Sequence, residues 1–240
     1  MPTHEVETAE AHEAAALRPG GGGAAEKRAY VRRMFSEIAP TYDALNHLLS
    51  LNVDRRWRRQ ALAALDWTRR PDGLYLDLCA GTLDVATALA SSAGFAGSVL
   101  GADFAEPMLR AGLARAPLAD GSVAGAVVAF GIRNLADLDA GLRETHRVLV
   151  RGGRFVILEF STPPSWPARA VYHAYFHHVL PLVGGLLSGH RTAYHYLPES
   201  VANFPSGREL AARMTRAGFE RVEWRPLTLG IAALHVGVKP

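Results

Sequence analysis

One stretch of this chain joins residues that could touch a ligand to a backbone that could approach one: Gly73-Leu74-Tyr75-Leu76-Asp77-Leu78-Cys79-Ala80-Gly81-Thr82-Leu83-Asp84. The apolar run Leu74 to Leu78 fits a buried strand, and it stops at Ala80-Gly81-Thr82 before helical spacing takes over through Val85, Ala86 and Leu89. A glycine turn at the carboxyl end of a strand lets a cofactor come close to the main chain. A second acid fits the same chemistry. Asp103 ends the next apolar run, Ser98 to Ala102, and follows Gly81 by about 20 residues, the interval at which a carboxylate accepts hydrogen bonds from a ribose diol. Glu159 likewise ends an apolar run, Phe155 to Leu158. Cys79 is the single cysteine and reads as a small packing residue on an apolar strand with no base beside it. His173, His177 and His178 have a spacing compatible with metal ligation, but no second cluster accompanies them, so no metal is expected.

The elements that would hold these groups alternate. The pattern predicts helices at Arg55 to Leu65, Leu83 to Ala90, Pro107 to Leu113 and Leu138 to Leu149, and strands at Leu74 to Leu78, Ser98 to Asp103, Val123 to Phe130 and Arg154 to Phe160, with a turn over Val150 to Gly153. A helix at Gly207 to Ala217, stopped by Gly218, then precedes a hairpin of Phe219 to Arg225 and Gly230 to Val238. Such βαβα order predicts an α/β fold, a Rossmann-like doubly wound and mainly parallel sheet with a C-terminal antiparallel hairpin. Residues 161–200 interrupt the rhythm with prolines, aromatics and histidines, and read as an inserted helical cap whose apolar lining suits a greasy substrate.

Length and composition narrow the classes. At 240 residues and 49% hydrophobic content, one domain with extra segments is expected. Residues 1–25 are rich in Ala, Glu and Gly and read as a disordered tail, which leaves 26–240 as the folded domain with a helical cap at 26–70. No apolar run reaches the length of a membrane span, no signal peptide is visible, and a lone cysteine suits a reducing compartment, so a cytoplasmic protein is expected. The formal net charge of +3 divides into −4 on residues 1–26 and +7 on the remainder. Arg55, Arg56, Arg58 and Arg59 surround Trp57, which is either a solvated helical face or a basic, Trp-anchored surface resting on anionic lipid headgroups.

The segment Gly81-Thr82-Leu83-Asp84 lacks both the lysine of a phosphate loop and the three spaced glycines of a dinucleotide fingerprint. With the acid ending the second strand and the terminal hairpin, this points to S-adenosylmethionine rather than a nicotinamide. The chain resembles the ubiquinone/menaquinone biosynthesis C-methyltransferases through nearly everything after Lys27. The shared segments are Met34 to Asp43, Leu45-Asn46, Asp54 to Arg58, Asp77 to Thr82, Phe130-Gly131-Ile132-Arg133-Asn134, Arg147 to Leu149, Gly152 to Arg154, Leu158-Glu159-Phe160-Ser161, Leu227-Thr228, Gly230-Ile231 and Leu234-His235.

That resemblance implies methyl transfer from S-adenosylmethionine to a ring carbon of a polyprenylated quinol, such as demethylmenaquinol or a related benzoquinol. It implies cofactor contacts from Asp77, Ala80, Gly81, Thr82, Asp103, Phe104, Ala129 and Phe130. Arg133, with Asn134 beside it, becomes the candidate for stabilising the developing phenolate, and Glu159, Tyr42 and His235 are rivals for the proton-handling role. The implied partners are the quinol and, transiently, an anionic membrane surface, with no nucleic acid; the oligomeric state stays open, a homodimer included. Two departures stand out. Leu83 occupies a position where the family usually has glycine, and only 26 residues separate Asp103 from Phe130, too few for a further strand with its crossover helices. A six-stranded sheet without the family's third, edge strand follows, with a more open adenine side and weaker cofactor binding. Competing readings are a methyltransferase for another apolar acceptor and a catalytically silent scaffold of the quinone pathway.

Overall fold

The computed structural model describes residues 50, 52–103, 118–135, 137–175 and 200–240; the N-terminal tail, the helical pieces before Ser50, the helix expected at 107–113 and residues 176–199 of the inserted cap lie outside them. In chain order the elements are α1 (Val53–Leu65), β1 (Leu74–Leu78), α2 (Asp84–Ala90), β2 (Ser98–Ala102), β3 (Val123–Ala129), α3 (Leu138–Val148), β4 (Leu149–Phe160), α4 (Trp166–Ala174), α5 (Gly207–Arg216), β5 (Glu220–Leu227) and β6 (Ala232–Val238). The six strands form one sheet ordered β2-β1-β3-β4-β6-β5. Pairings of β1 with β2 and β3, and of β3 with β4, are parallel; β6 runs antiparallel to both β4 and β5. This is the expected architecture, with β2 at one edge among the described residues.

Period-two alternation splits the strands between two cores. Tyr75, Val127, Val156, Leu158 and Leu234 face α1 and α2, and pack with Trp57, Ala61, Leu62, Leu65, Val85 and Leu89. On the other face Leu76, Ala126, Val128, Phe155 and Ile157 meet Leu142 and Val148 of α3 and Leu210 and Met214 of α5. Helices therefore cover both faces. Asp137 and Ser206 cap α3 and α5, accepting from the N–H groups of Ala140 at 2.9 Å and Glu209 at 3.4 Å.

Two expectations need correction. The turn read over 150–153 is strand: β4 starts at Leu149, and its register on β3 jumps from Val123↔Leu149 to Gly125↔Arg154. Gly152 (φ 75°) absorbs the irregularity, and Gly152 and Gly153 exchange hydrogen bonds with Lys239. Nor does Trp57 anchor a surface. It is 4% exposed, because residues 57, 61, 62 and 65 share the buried stripe of α1, and its indole N–H donates to Thr228 Oγ1 at 2.9 Å. Arg55, Arg56 and Arg59 remain exposed, while Arg58 turns toward the sheet's carboxyl edge.

Candidate active site

The carboxyl ends of β1, β2, β3 and β4 converge at one edge. After β1 the chain turns tightly: Cys79 (φ 55°), Gly81 (φ 50°) and Leu83 (φ 68°) all adopt left-handed backbone, and the Leu83 N–H donates to Ala80 O at 2.7 Å. Gly81 and Thr82 are exposed and Ala80 is half-buried, so the turn faces outward. The Gly81 N–H donates to Asp103 Oδ2 at 2.6 Å, which ties the glycine turn to the acid that ends β2. A carboxylate accepts about four hydrogen bonds, so this contact is compatible with a ribose diol on the same group.

Asp77 lies beneath the turn, 2% exposed. Leu83 stands at the cap position of α2 and has no side-chain acceptor to offer; Asp77 replaces it from the strand, accepting the Ala86 N–H at 3.0 Å. Burial pushes the Asp77 carboxyl up to about 6, with Asp103 and Asp84 adding to the rise, against the Ala86 hydrogen bond and the Arg58 charge.

The end of β3 is equally constrained. Phe130 (φ 62°) turns the chain, and a Cβ on Gly131 would stand 2.1 Å from Cys79 Cβ, so only glycine lets the ends of β1 and β3 come this close. A short 3-10 turn, Ile132–Asn134, then carries Arg133 inward and leaves Asn134 half-buried. Arg133 Nη1 donates to Glu159 Oε1 at 2.8 Å and to the Phe130 carbonyl, its Nε donates to Ser200 Oγ at 3.3 Å, and its backbone N–H donates to Glu159 Oε2 at 3.3 Å. Glu159 Oε1 also accepts the Phe160 N–H at 2.9 Å. Both side chains are buried. Phe130 and Phe160 pack with ring centres 4.6 Å apart, Trp57 closes the cluster at 6.0 and 6.4 Å, and the guanidinium groups of Arg58 and Arg133 lie 5.6 Å from Phe130 and Phe160.

Cys79 marks where these groups meet. Its thiol is pushed well up, by burial first and then by Asp103, Glu159 and Asp77, with Arg133 opposing. Ala129 completes β3 beside them, half-buried. His235 is placed elsewhere. It pairs with Ile157, which pairs with Val128, which pairs with Leu78, so three strand spacings, about 14 Å, separate it from the end of β1. Its Nε2 lies 2.9 Å from Gly207 O and its ring stacks on Trp224, while burial lowers its pKa against that hydrogen bond. Tyr42 and Phe104 lie outside the described residues.

The sequence reading puts Arg58 only on the basic face around Trp57 and in a shared segment, and gives neither Arg58 nor Tyr172 a place in the site. Tyr172 of α4 is buried within the electrostatic reach of Arg133 and Glu159, and burial raises its phenol's pKa. Arg58 had a usable signal: it is next to Trp57 on a helix and four residues after Asp54, so it follows the buried stripe rather than opposing it.

The family model described as the ubiE/COQ5 methyltransferase family matches residues 23–120 and 114–239. The chain belongs to that family. The junction of the two matched segments falls between Asp103 and Phe130, the interval the sequence reading expects to be shortened. A demethylmenaquinone methyltransferase of Thermus thermophilus is 46% identical over 224 residues, covering 86% of this chain and 100% of the relative. A ubiquinone/menaquinone biosynthesis C-methyltransferase UbiE of Geotalea uraniireducens is 42% identical over 89% of this chain and 98% of its own length. Among solved structures, the [4+2]-cyclase SpnF superposes with a TM-score of 0.58 at 15% identity, covering 89% of this chain and 97% of that one, and its different chemistry shows that such a likeness carries the fold alone. Membership makes this protein an S-adenosylmethionine-dependent C-methyltransferase.

The edge fits such a cofactor. None of the described residues comes within 4 Å of where a Gly81 Cβ would be, Asp103 is exposed at the end of β2, and Asp77, Asp84 and Asp103 give the turn negative charge to meet a cationic sulfonium. No cluster of metal-ligating side chains is found among the described residues.

Proposed function

We propose that this protein methylates a ring carbon of a polyprenylated quinol, demethylmenaquinol or a related benzoquinol, in quinone biosynthesis. The observation that carries the reading is the convergence of the family's motif residues Asp77, Gly81, Phe130, Arg133 and Glu159 with Asp103, the acid that ends β2, at one sheet edge, with Gly81 and Asp103 in direct contact. Bound S-adenosylmethionine supplies an electrophilic methyl group on its sulfonium.

The chain's own residues then have separable tasks. Ala80, Gly81 and Thr82 hold the methionine part through the exposed turn, Asp103 holds the ribose, and Ala129 and Phe130 flank the crevice. A quinol ring becomes a carbon nucleophile as a hydroxyl proton leaves to water. Arg133 stays protonated at any working pH, so it stabilises the phenolate oxygen and does not act as the base. Glu159, engaged by three N–H donors, is a positioning residue for Arg133. The new carbon–carbon bond would form as the methyl–sulfur bond of the donor breaks to leave the neutral thioether; the ring carbon then loses its proton to water and regains aromaticity, and the phenolate oxygen held by Arg133 takes a proton back, so one proton is released overall. The aromatic cluster keeps water from the reacting carbon.

The greasy tail needs an exit. Trp166, which opens α4, and Leu229, in the 3-10 turn between β5 and β6, are 79% and 77% exposed; the loop before α4 and that turn touch where Gly230 meets Pro164 and where Ser161 Oγ donates to Gly230 O at 2.6 Å. Both segments leave the same sheet edge, so this apolar pair, with Arg55, Arg56 and Arg59 exposed on α1, is our candidate for prenyl and membrane-surface contact. No helix among the described residues is long and apolar enough to cross a membrane.

The test is turnover: purified protein, S-adenosylmethionine and reduced short-chain demethylmenaquinol or demethylated benzoquinol, with the methylated ring read by mass spectrometry. Cofactor binding without methylation of either quinol would sink the substrate assignment, and any turnover would sink the silent scaffold.

A further inference from the structure

In a doubly wound sheet the ligand crevice opens where strand connections depart to opposite sides. Here that point lies between β1 and β3, since β1 is followed by β2 on one side and flanked by β3 on the other. Arg58 spans it. Its guanidinium lies over the Phe130 ring just past β3, and its Nη1 is 3.5 Å from Asp84, the first residue of the helix that β1 leads into. Its Nε is 3.5 Å from Asp54 and makes no hydrogen bond. A charge-assisted hydrogen bond is ~2.7–2.9 Å long, so the two carboxylates orient this guanidinium without saturating its donors. Arg133, the other arginine of this aromatic cluster, is paired with Glu159 of β4 and lies over Phe160 rather than over Phe130.

We propose that Arg58 is the receptor for the carboxylate of the cofactor's methionine end. The planar fork of a guanidinium matches a carboxylate with two parallel hydrogen bonds. The amino-acid end of S-adenosylmethionine is a zwitterion, and Arg58 with Asp84 presents the complementary pair of opposite charges beside the Ala80–Thr82 turn. The inference rests on the reading that puts the methionine part at that turn.

Two ligands separate recognition of the carboxylate from general shaping of the crevice. S-adenosylhomocysteine carries the amino-acid end; 5′-methylthioadenosine lacks it and keeps the adenosine. Calorimetric titration of the full chain with each compares wild type, Arg58→Met and Arg58→Lys. Arg58→Met is expected to weaken S-adenosylhomocysteine ~10- to 100-fold, the worth of a hydrogen bond to a charged group, and 5′-methylthioadenosine less than about 3-fold. Arg58→Lys, which keeps the charge without the fork, should fall between and carries the test if Arg58→Met does not fold. Equal losses for both ligands, or no loss for either, overturn the assignment. Failure of wild type to bind S-adenosylhomocysteine overturns the placement of the cofactor at the turn along with it.

Discussion

Asp77→Asn isolates the cost of burying a charge under the cofactor turn. The Asp77 carboxyl titrates at about 6 in the fold against 3.8 in an unperturbed chain, a shift of about 2 units, worth about 3 kcal/mol. For an acid the sign is fixed by which state binds more protons. Between the two pKa values the folded protein holds the Asp77 proton and the unfolded chain has lost it, so stability falls as pH rises through that window and the full cost is present at pH 8. Asparagine keeps an oxygen for the Ala86 N–H and removes the charge. It also buries an amide N–H2 that must find an acceptor, costing about 1 kcal/mol. The variant should therefore be about 2 kcal/mol more stable than wild type at pH 8, with that gain gone and slightly reversed at pH 4, measured by urea unfolding at both pH values. A variant less stable at pH 8, or a difference that does not change with pH, would refute the reasoning by showing that the Ala86 hydrogen bond and Arg58 outweigh desolvation. S-adenosylmethionine affinity should move the other way, because the lost charge faces a cationic ligand.

Three further perturbations probe the same edge. Leu83→Gly relieves a left-handed backbone that costs a β-carbon residue roughly 1–2 kcal/mol and gives back about 0.5–1 kcal/mol through the freer unfolded chain; thermal stability should stay nearly level while the Kd for S-adenosylmethionine drops several-fold as the turn regains the family's usual glycine, and an unchanged or higher Kd shows that the exposed Leu83 side chain does not weaken cofactor binding. Glu159→Gln leaves Arg133 buried beside a neutral partner, for which a loss of about 3–5 kcal/mol is expected; combining it with Arg133→Met should recover part of that loss in urea unfolding while abolishing turnover, and simple additivity would show that the two side chains are not coupled. His235→Phe removes the Gly207 hydrogen bond for about 1 kcal/mol of stability and should leave kcat/KM for the quinol within about 2-fold of wild type; a drop of ten-fold or more in a folded variant would return His235 to the chemistry.

The sheet was legible because period-two apolar runs and glycine turns report directly on burial. Leu74 to Leu78, Ser98 to Ala102 and Val123 to Ala129 emerged within a residue of their observed bounds. The turn at 150–153 failed because Gly152-Gly153 is the ordinary mark of chain reversal, whereas here it bends a strand that continues to pair; only the partner's register shows this. Trp57 failed for a related reason. Four arginines around one indole describe a surface in composition, but helical phase puts Trp57 on the same stripe as Ala61 and Leu65, and phase decides burial.

Chemistry was harder to read than fold, because a residue's role depends on what already occupies its hydrogen-bonding capacity. The sequence puts Arg133 first and leaves Glu159, Tyr42 and His235 as rivals, with nothing to show what each side chain already holds. In the fold, Glu159 spends its oxygens on Arg133 and on the Phe160 and Arg133 N–H groups, and His235 meets Gly207 away from the turn, whereas Asp103 faces outward with one oxygen on Gly81. The turn also reverses the usual division of labour at a helix start. Leu83 cannot cap α2, so the strand residue Asp77 does so from below, at the cost of a buried charge. A polar residue at 83 would serve the helix and free Asp77 from that task, yet it would also remove the side chain that covers Gly101 of β2. Helix start, cofactor turn and edge strand thus share one residue, and a change at Leu83 has to be judged by its effect on all three.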